Sequence, residues 1–383
     1  MNAPAAMQGL KLTFDEQQEE LARTARAFVA SSTPIERVRA LRDSRDAVGF
    51  SRDVWKQMAE LGWTGLCLPE QYSGLGLGFV ELCIVLEEAG RRLVPEPLIS
   101  TLLLGAQALL LGGSPGHKAR FLPRVAAGTA VLSVAFQERG SRFELDRVET
   151  TAERTPQGFR LSGEKINVLD GHVADAWIVS ALTAQGVTLF LVDATAPGLQ
   201  VTRQQRIDSR NAALVRFDGV ELSADAVVGR AGHGLTLLTD VVDRASIGLS
   251  AEMLGSASQT FEDTLAYLKT RKQFDVTIGS FQALQHRAAR LFIELSLARA
   301  AVLAAARCVD EQPEQLARMA SLAKARASDL VVHVANEAVQ MHGGIGVTDE
   351  CQIGFYLKRA RVTELTFGDA AWHRKRWATL AGY

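Results

Sequence analysis

The sequence predicts an α+β chain in which one β domain lies between two helical regions. Apolar residues recur at helical spacing up to about residue 122 and again after residue 231, and the block between them holds short runs rich in Val, Ile, Thr and Phe. We therefore expect an N-terminal helical domain over residues 1–122, a middle antiparallel β domain over 123–230 and a C-terminal four-helix bundle over 231–383. A chain of 383 residues with 47% hydrophobic content is large enough to bury the cores of such domains.

The N-terminal region begins with a helix start signal. Thr13-Phe14-Asp15-Glu16 has the form of a capping box, in which the Thr13 hydroxyl accepts a hydrogen bond from a backbone amide and Glu16 reaches back. Apolar residues then follow at helical spacing. Further helices are expected over residues 55–61, 80–90 and 99–111.

The middle block contains six short runs of β-branched and aromatic residues that are separated by turn residues. This pattern is typical of strands in an antiparallel sheet. Asp218-Gly219 gives a tight-turn signal after the last run. The predicted strands cover residues 131–136, 150–153, 159–161, 176–180, 188–192 and 214–217.

The C-terminal region carries apolar stripes along two long helices, and Pro313 separates them. We interpret the stripes as core positions. Long, Ala-rich antiparallel helices are typical of a bundle and of a subunit interface, so we expect an oligomer. The striped positions are Leu284, Ala288, Leu291, Leu295, Ala298 and Val302, followed by Leu316, Met319, Ala323, Leu330, Val334 and Met341.

Composition excludes several classes of function. The net charge is −1 and the pI is ≈ 6.7, so no global positive field favours nucleic acid. The longest apolar run is about half of what a bilayer span needs, and the N-terminus lacks the pattern of a secretory signal. The four Cys and seven His show no metal-ligand spacing, and we interpret the Cys as buried thiols in a reducing cytoplasm.

Two motifs near the C-terminus have the chemistry to bind a dinucleotide. The first is Tyr267-x-x-x-Arg271-x-Gln273-Phe274, followed by Phe281-Gln282, and a planar Arg suits a pyrophosphate because it donates parallel hydrogen bonds. Phe274 would pack on the adenine or ribose side, and Gln282 would donate to a polar edge. The second motif is Gln340-x-x-Gly343-Gly344-x-Gly346, whose glycines let backbone amides approach a phosphate.

These motifs, the helical–β–helical order and the stretch Leu61–Glu70 resemble the acyl-CoA dehydrogenase family over nearly the whole chain. The resemblance implies FAD as cofactor, oxidation of an acyl-CoA at its α and β carbons, and an electron-transfer flavoprotein as acceptor. It also implies that the two motifs hold the adenine half of the FAD of a neighbouring subunit. The sequence does not indicate which acyl chain is used.

The flavin half of the family pattern is poorly matched. A Thr-Glu-Pro-Gly type of segment becomes residues 135–141, which keep only Glu138 as a candidate cofactor contact. In the segment Gly-x-Lys-x-Trp-Ile-Thr-Asn-Gly, the aromatic position is Asn167 and the hydroxyl position is Leu169. A Leu side chain cannot donate a hydrogen bond, so we expect the flavin ring to be held weakly.

The family's catalytic base is absent from its usual place. The resemblance places a Glu-Gly-Thr base motif at Phe367-Gly368-Asp369, and Phe367 cannot accept the proton. Asp243 is a weak substitute, because some family members carry a Glu on an upstream helix; counting back from Tyr267 instead gives Ala245. Asp369 is counted with the candidate cofactor contacts, and it lies near the lost base together with Glu364.

Three hypotheses follow. In the first, the chain is the base-less subunit of a heteromeric acyl-CoA dehydrogenase and contributes the adenine-side clamp. In this it resembles the small subunits of pimeloyl-CoA and steroid side-chain dehydrogenases, which also end in Phe-Gly-Asp-Ala. Alternatively, it is a self-sufficient homotetrameric enzyme with a relocated base. The third hypothesis is a flavin-free scaffold that binds acyl-CoA or protein.

Overall fold

The computed structural model describes residues 10–383, and its elements confirm the order helical, β, helical. A π-helical turn over Ile99–Gly105 leads directly into α5. The helices are α1 Glu16–Ser32, α2 Glu36–Asp43, α3 Arg52–Glu60, α4 Phe79–Arg91, α5 Ala106–Gly112, α6 Pro115–Ala126, α7 Gly234–Thr270, α8 Gln282–Glu311, α9 Leu316–His342, α10 Ile353–Leu365 and α11 Ala370–Leu380. The strands are β1 Leu132–Ala135, β2 Thr151–Thr155, β3 Gly158–Leu169, β4 Ala176–Thr183, β5 Gly186–Asp193, β6 Leu199–Gln204, β7 Ala212–Ser223, β8 Val227–Val228, β9 Lys272–Gln273 and β10 Val276–Thr277.

The start of α1 differs from the predicted capping box. The N-cap is Asp15, whose carboxylate accepts from the Gln18 backbone amide (2.9 Å), while the Gln18 side chain accepts from the Asp15 amide (3.3 Å). The box is therefore Asp15 with Gln18 rather than Thr13 with Glu16. Asp is a somewhat better N-cap than Thr, which agrees with the start of α1 at Asp15 rather than at Thr13.

The middle strands form one eight-stranded sheet in the order β6-β7-β3-β2-β4-β5-β8, with β1 paired to β4. Most neighbours are antiparallel, as predicted. However, β1 runs parallel to β4, and Thr151 of β2 also pairs in parallel with Leu182 of β4. The sheet is therefore mixed. A long connection over residues 136–150 separates β1 from β2, so these two strands form no hairpin.

The tight turn predicted at Asp218-Gly219 is wrong. β7 runs through both residues, since Val220 still pairs with Leu161 of β3. Gly219 has a positive φ of 64°, and the register of β7 against β3 shifts beside it. The strand continues through this irregularity. The edge strand β6 was not predicted, because it holds only two apolar residues, Leu199 and Val201, and none of its six residues is buried.

The chain divides into two compact units. One, which we call the helical unit, contains the described residues up to Ala40, together with Phe79–Val94 and Ser246–Tyr383. The other, which we call the mixed unit, contains Leu41–Gly78 and Pro95–Ala245, including the sheet of β1–β8. The three-domain boundaries stay a prediction.

Close helix contacts shape the helical unit. An ideal Cβ built at Gly255 of α7 would lie 1.8 Å from the Glu87 carbonyl oxygen, and one at Gly90 of α4 would lie 2.1 Å from the Glu252 carbonyl oxygen. Only glycine lets the two backbones approach this closely. Glu252 is also held by Arg359 of α10 (2.7 Å) in a buried ion pair.

The C-terminal helices bury the predicted stripes. α9 packs against α8, α10 and α11, and its striped residues are buried. On α8 the stripe is buried from Leu291 onward, but Leu284 and Ala288 are only half-buried. Within residues 10–383, no helix has the length and hydropathy of a membrane span, and no group of His, Cys, Asp and Glu could hold a metal ion.

Candidate cofactor and acyl-CoA site

Arg271 follows the end of α7 and begins a short β-hairpin, which we call the Arg271 hairpin and which ends at Ile278. Its backbone is fixed, because the Arg271 amide donates to the Tyr267 carbonyl (2.8 Å) and the Arg271 carbonyl accepts from Ile278 (2.9 Å). Phe274 and Asp275 join β9 to β10, and both have a positive φ (55° and 62°), as a two-residue hairpin turn requires. The turn leaves Phe274 87% exposed.

The remaining residues of the first motif lie beside this hairpin. The Phe281 ring packs edge-on against the Phe274 ring, with centroids 6.2 Å apart. Gln282 begins α8 and is exposed. The Gln273 side chain donates to the Lys272 carbonyl (2.8 Å), so this amide is partly occupied within the hairpin.

The second motif meets the first through one aromatic contact. α9 ends at His342, and a 3₁₀ turn over Gly343–Val347 follows, which we call the glycine turn. The Tyr267 ring stacks on the His342 ring with centroids 4.4 Å apart, and the Tyr267 hydroxyl donates to the His342 carbonyl (3.3 Å). The structure thus brings together two motifs that are about 70 residues apart. His342 was missed from the sequence, where it was considered only as a metal ligand.

The three glycines of the second motif have different surroundings. An added Cβ at Gly343 or Gly344 would meet no atom within 4 Å, so these two residues face open space. Gly343 also has a positive φ of 66°. At Gly346 a Cβ would lie 2.7 Å from the Val339 carbonyl oxygen, so this glycine is needed for packing on the end of α9. Gly343 and Gly344 are therefore the positions where a ligand could approach the backbone.

Three polar side chains at these two motifs have no bonding partner among the described residues. Among residues 10–383, the Arg271 guanidinium and the side-chain amides of Gln282 and Gln340 make no hydrogen bond or ion pair, and all three residues are exposed. A fixed arginine, free amides and open glycine backbone form a donor set that suits a phosphate-containing ligand. We call Arg271, Gln282, Gln340, Gly343 and Gly344 the clamp cluster.

Glu138 lies in a different setting, inside the sheet of the mixed unit. Its carboxylate accepts from Lys165 Nζ (2.5 Å) and from the backbone amides of Glu149 (2.6 Å) and Thr150 (3.1 Å). Lys165 in turn donates to the Ser180 hydroxyl (3.0 Å). Glu138 is therefore a brace between β3 and the chain that enters β2. That it also contacts a cofactor stays a prediction, and these bonds favour the bracing role.

The protonation of this pair follows from its burial. Burial lowers the pKa of the Lys165 ammonium to about 8, and Glu138 partly offsets the effect. Burial alone would raise the pKa of Glu138, but the attraction of Lys165 and the bonds that it accepts lower that pKa overall. The pair is held as a buried ion pair inside the sheet.

The two flavin-side departures lie in β3. The Asn167 backbone amide donates to the Gln204 side chain (2.9 Å), and its side-chain amide donates to the Gln137 side chain (3.3 Å). The Leu169 carbonyl accepts from the Ser133 hydroxyl (2.6 Å), and its side chain has no donor. The polar groups at both positions are thus engaged within the chain.

Phe367 lies in the connection between α10 and α11, which we call the Phe367 turn (Thr366–Asp369). It is half-buried and has a φ of 64°, which is unusual for an aromatic residue. Asp369 is the N-cap of α11, and its carboxylate accepts from the Trp372 amide (2.8 Å). This helix-capping role gives Asp369 a structural function, and its proposed cofactor contact stays a prediction.

Lys324 of α9 lies behind this turn and is fully buried. Its ammonium donates to the Ser328 hydroxyl (2.9 Å), to the Glu364 carbonyl (3.0 Å) and to the Gly368 carbonyl (2.9 Å). Burial lowers the pKa of Lys324 to about 7, although Glu364 and Asp369 oppose the shift. Lys324 could not be singled out from the sequence, because it falls between the apolar positions of an Ala-rich helix.

The substitute base Asp243 lies in the part of α7 that belongs to the mixed unit and is only 3% exposed. Its neighbour Arg244 donates to the Asp240 carbonyl (3.2 Å). An enclosed carboxylate can act as a base only if substrate reaches it, so this assignment stays a prediction.

The chain matches three family models in order: the N-terminal domain of acyl-CoA dehydrogenase over residues 15–129, the middle domain over 133–220 and the C-terminal domain over 232–379. The chain belongs to the acyl-CoA dehydrogenase family. It is 28% identical over 328 residues to the probable acyl-CoA dehydrogenase FadE25 of Mycobacterium tuberculosis, which covers 83% of this chain and 84% of that protein.

Solved structures agree with the family assignment. A chain of the ChsE4-ChsE5 complex from Mycobacterium tuberculosis is 28% identical, with a TM-score of 0.89, and the match covers 97% of this chain and 99% of the other. A chain of a variant of the Tcur3481-Tcur3483 steroid ACAD is 32% identical, with a TM-score of 0.86, over 96% and 98% of the two chains. The family consists of oxidoreductases that act on acyl-CoA and bind FAD.

The side chains of this chain fit one half of FAD better than the other. The clamp cluster offers an unpaired Arg and open glycine backbone, which suit the pyrophosphate and the adenine half. At the two positions that the resemblance predicts to face the flavin, Asn167 is hydrogen-bonded within the chain and the side chain of Leu169 has no donor. When bound, FAD would supply the hydride acceptor.

Proposed function

We propose that this chain is a subunit of a heteromeric acyl-CoA dehydrogenase. It contributes the clamp cluster to the FAD of a partner subunit, and the partner contributes the flavin pocket and the catalytic base. The observation that carries the proposal is a contrast: the clamp cluster has an Arg without a bond within residues 10–383 and open glycine backbone, whereas a phenylalanine stands at the position of the family's base. The electron-transfer flavoprotein as acceptor remains an implication of the family.

The exposure of Arg271 and Phe274 supports the part of the proposal that concerns the clamp cluster. Arg271 has no partner within residues 10–383, and Phe274 projects into solvent with 87% of its surface exposed. An exposed aromatic beside an unpaired arginine on a fixed hairpin is unfavourable unless something covers it. Adenine has an aromatic face for Phe274 and the pyrophosphate has the charge for Arg271, so an FAD held by a second subunit would cover both.

The residues around Phe367 support the part of the proposal in which this chain lacks the catalytic base. The carboxylates nearest in sequence are engaged: Asp369 caps α11, and Glu364 forms an ion pair with Arg361 (3.3 Å). Proton removal beside a thioester needs a positioned base that contributes about 10² to 10⁴ in rate. The Phe367 turn of this chain supplies no such group.

An exposed apolar face on α8 supports the assembly. Phe292, Ile293 and Leu297 are 61%, 57% and 55% exposed. Large apolar side chains clustered on one stretch of helix are typical of a subunit interface. The two-component names of the ChsE4-ChsE5 and Tcur3481-Tcur3483 structures are consistent with a partner of the same family.

The test compares the chain alone with the chain co-expressed with a dehydrogenase-like chain whose base Glu is intact, with the genomic neighbour as first choice. The chain alone should sediment as an oligomer, bind little FAD and show negligible turnover of straight-chain acyl-CoAs. The co-expressed assembly should bind FAD and turn over acyl-CoA. Introducing Phe367→Glu into the lone chain should not restore activity, because Asn167 and Leu169 still leave the flavin ring poorly held.

The other outcomes identify the alternatives. Full flavin occupancy and ordinary turnover by the lone chain would show a self-sufficient homotetramer, and Asp243 would be the first residue to replace in search of its base. Absence of flavin from every assembly, with acyl-CoA or protein binding retained, would show a scaffold. A monomer of about 41 kDa in sedimentation equilibrium would exclude all the oligomeric forms.

A further inference from the structure

The Phe367 turn is strained and would not hold its shape alone. Phe367 has a φ of 64° and Gly368 a φ of 115°. The left-handed region is open to glycine, but in a residue with a side chain the Cβ approaches a carbonyl oxygen, and the conformation persists only where the surroundings fix it. Some group outside the turn must therefore hold Phe367.

Lys324 is one such group. An ammonium has three donors, and the three acceptors of Lys324 are the Glu364 carbonyl, the Gly368 carbonyl and the Ser328 hydroxyl, at 2.9–3.0 Å. Glu364 lies in the last turn of α10, where carbonyls lack an intrahelical partner. The ammonium thus bonds to the chain on both sides of Phe367, and its burial makes the loss of these bonds costly.

His373 of α11 bonds to the carbonyl of Phe367, which lies between Glu364 and Gly368 in the chain. Its Nε2 lies 3.1 Å from the Phe367 carbonyl oxygen, which can only accept, so Nε2 carries the hydrogen. Nδ1 has no hydrogen-bond partner within residues 10–383, which is consistent with a neutral ring. Burial, followed by the charges of Lys324 and Arg376, lowers the pKa of His373 to about 3 and keeps the ring neutral.

Gly368 completes the arrangement. An ideal Cβ at Gly368 would lie 2.7 Å from the Trp372 ring and 2.9 Å from His373 Nε2. The imidazole can therefore reach the Phe367 carbonyl only because Gly368 has no side chain. The carbonyls of Glu364, Phe367 and Gly368 are all bonded by side chains of other elements.

We infer that Lys324 and His373 are positioning residues that hold residue 367 in the left-handed conformation. Together they fix the backbone from which the side chain at the family's base position projects. The conformational role stands on this geometry alone, and only its relevance to the acyl-CoA site rests on the proposed function.

Amide hydrogen exchange of the segment 364–370, followed by mass spectrometry on the full chain, tests the inference. Lys324→Met should speed exchange of this segment about tenfold or more, because the strained turn then opens locally. Adding Phe367→Gly should restore protection, since glycine adopts the left-handed conformation without strain. Adding Phe367→Ala should not restore it, because alanine removes the ring but keeps the Cβ. Equal behaviour of the Gly and Ala double variants would overturn the inference.

A second pair of variants covers the case in which Lys324→Met does not fold. His373→Gln keeps an N–H that can reach the Phe367 carbonyl, whereas His373→Leu does not. Protection of the segment should survive the first change and be lost in the second, and equal protection in both would contradict the role of His373. These measurements need no flavin and no partner chain, so they can be interpreted even if the proposed function is wrong.

Discussion

Replacing Arg271 with alanine should weaken FAD binding and leave the fold unaffected. The guanidinium makes no hydrogen bond or ion pair within residues 10–383. The two hydrogen bonds that fix Arg271 come from its backbone, and alanine retains both. We expect the free energy of unfolding to change by less than about 0.5 kcal/mol, as is usual for exposed surface substitutions.

The loss in FAD binding can be worked out from the contact that is removed. A charge-assisted hydrogen bond to a phosphate contributes about 1.5–3 kcal/mol, and a planar guanidinium can donate two in parallel. At 1.4 kcal/mol for each factor of ten, this loss corresponds to an increase of about 10- to 150-fold in the dissociation constant of FAD. The exposed side chain of Arg271 loses rotamer freedom on binding although its backbone is fixed, which favours the lower part of this range.

The assay uses the assembly that retains flavin, with Lys272→Ala as the matched control. Lys272 is exposed, lies in the same hairpin and carries the same charge. Replacing it therefore removes the same positive charge from the hairpin as Arg271→Ala does. Flavin per chain after gel filtration and FAD affinity by fluorescence titration should drop for Arg271→Ala and change little for Lys272→Ala. Unchanged flavin content in Arg271→Ala, or equal losses in both variants, would refute a direct contact between Arg271 and the cofactor.

Three further predictions concern the fold. Gly255→Ala should lower the free energy of unfolding in urea by at least about 1–3 kcal/mol, because its Cβ would lie 1.8 Å from a carbonyl oxygen of α4; unchanged stability would contradict this contact. Lys165→Met should cost about 3–5 kcal/mol by leaving Glu138 buried without its partner, and adding Glu138→Gln should recover part of the loss. His373 has a folded pKa of about 3, below its ordinary value of 6.5, so the stability it contributes is complete above pH 6.5 and is lost as the pH falls towards 3. The wild-type chain should therefore lose up to about 1.4 kcal/mol per pH unit more than His373→Leu across this range, and parallel pH profiles would show that the histidine is not buried neutral.

The order of the elements could be predicted because it depends on local patterns. The spacing of apolar residues in α4, α8 and α9 reflects which face each helix buries, and that spacing is visible in a short window of sequence. The errors arose where pairing is long-range. β1 joins β4 across about 40 residues, and β7 continues through Asp218-Gly219 because β3 offers partners beyond that point. No local signal distinguishes such a strand from one that ends in a turn.

In the candidate site, too, local spacing can be recognised in the sequence, whereas long-range contacts cannot. The clamp residues were predicted from the spacing of Arg, Gln and Gly along the chain, and their role in binding FAD stays a prediction. The contact that unites the two motifs, the stacking of Tyr267 on His342, joins residues 75 positions apart and could not be inferred from either motif. Glu138 was chosen by its place in a pattern, but burial beside Lys165 determines what its carboxylate can bind.

The Phe367 turn shows why the residue at a catalytic position and the structure around that position must be considered separately. A phenylalanine stands at the position where the family resemblance predicts the base, and the backbone there is bonded by a fully buried ammonium and by a neutral histidine. Those groups act on carbonyl oxygens, which every residue has, so they are indifferent to whether position 367 carries a carboxylate or a phenyl ring. A single substitution can therefore remove the base without disturbing the turn. Lys324 of α9 bonds to the end of α10 and to the Phe367 turn, and His373 of α11 bonds to the same turn, whichever side chain position 367 carries.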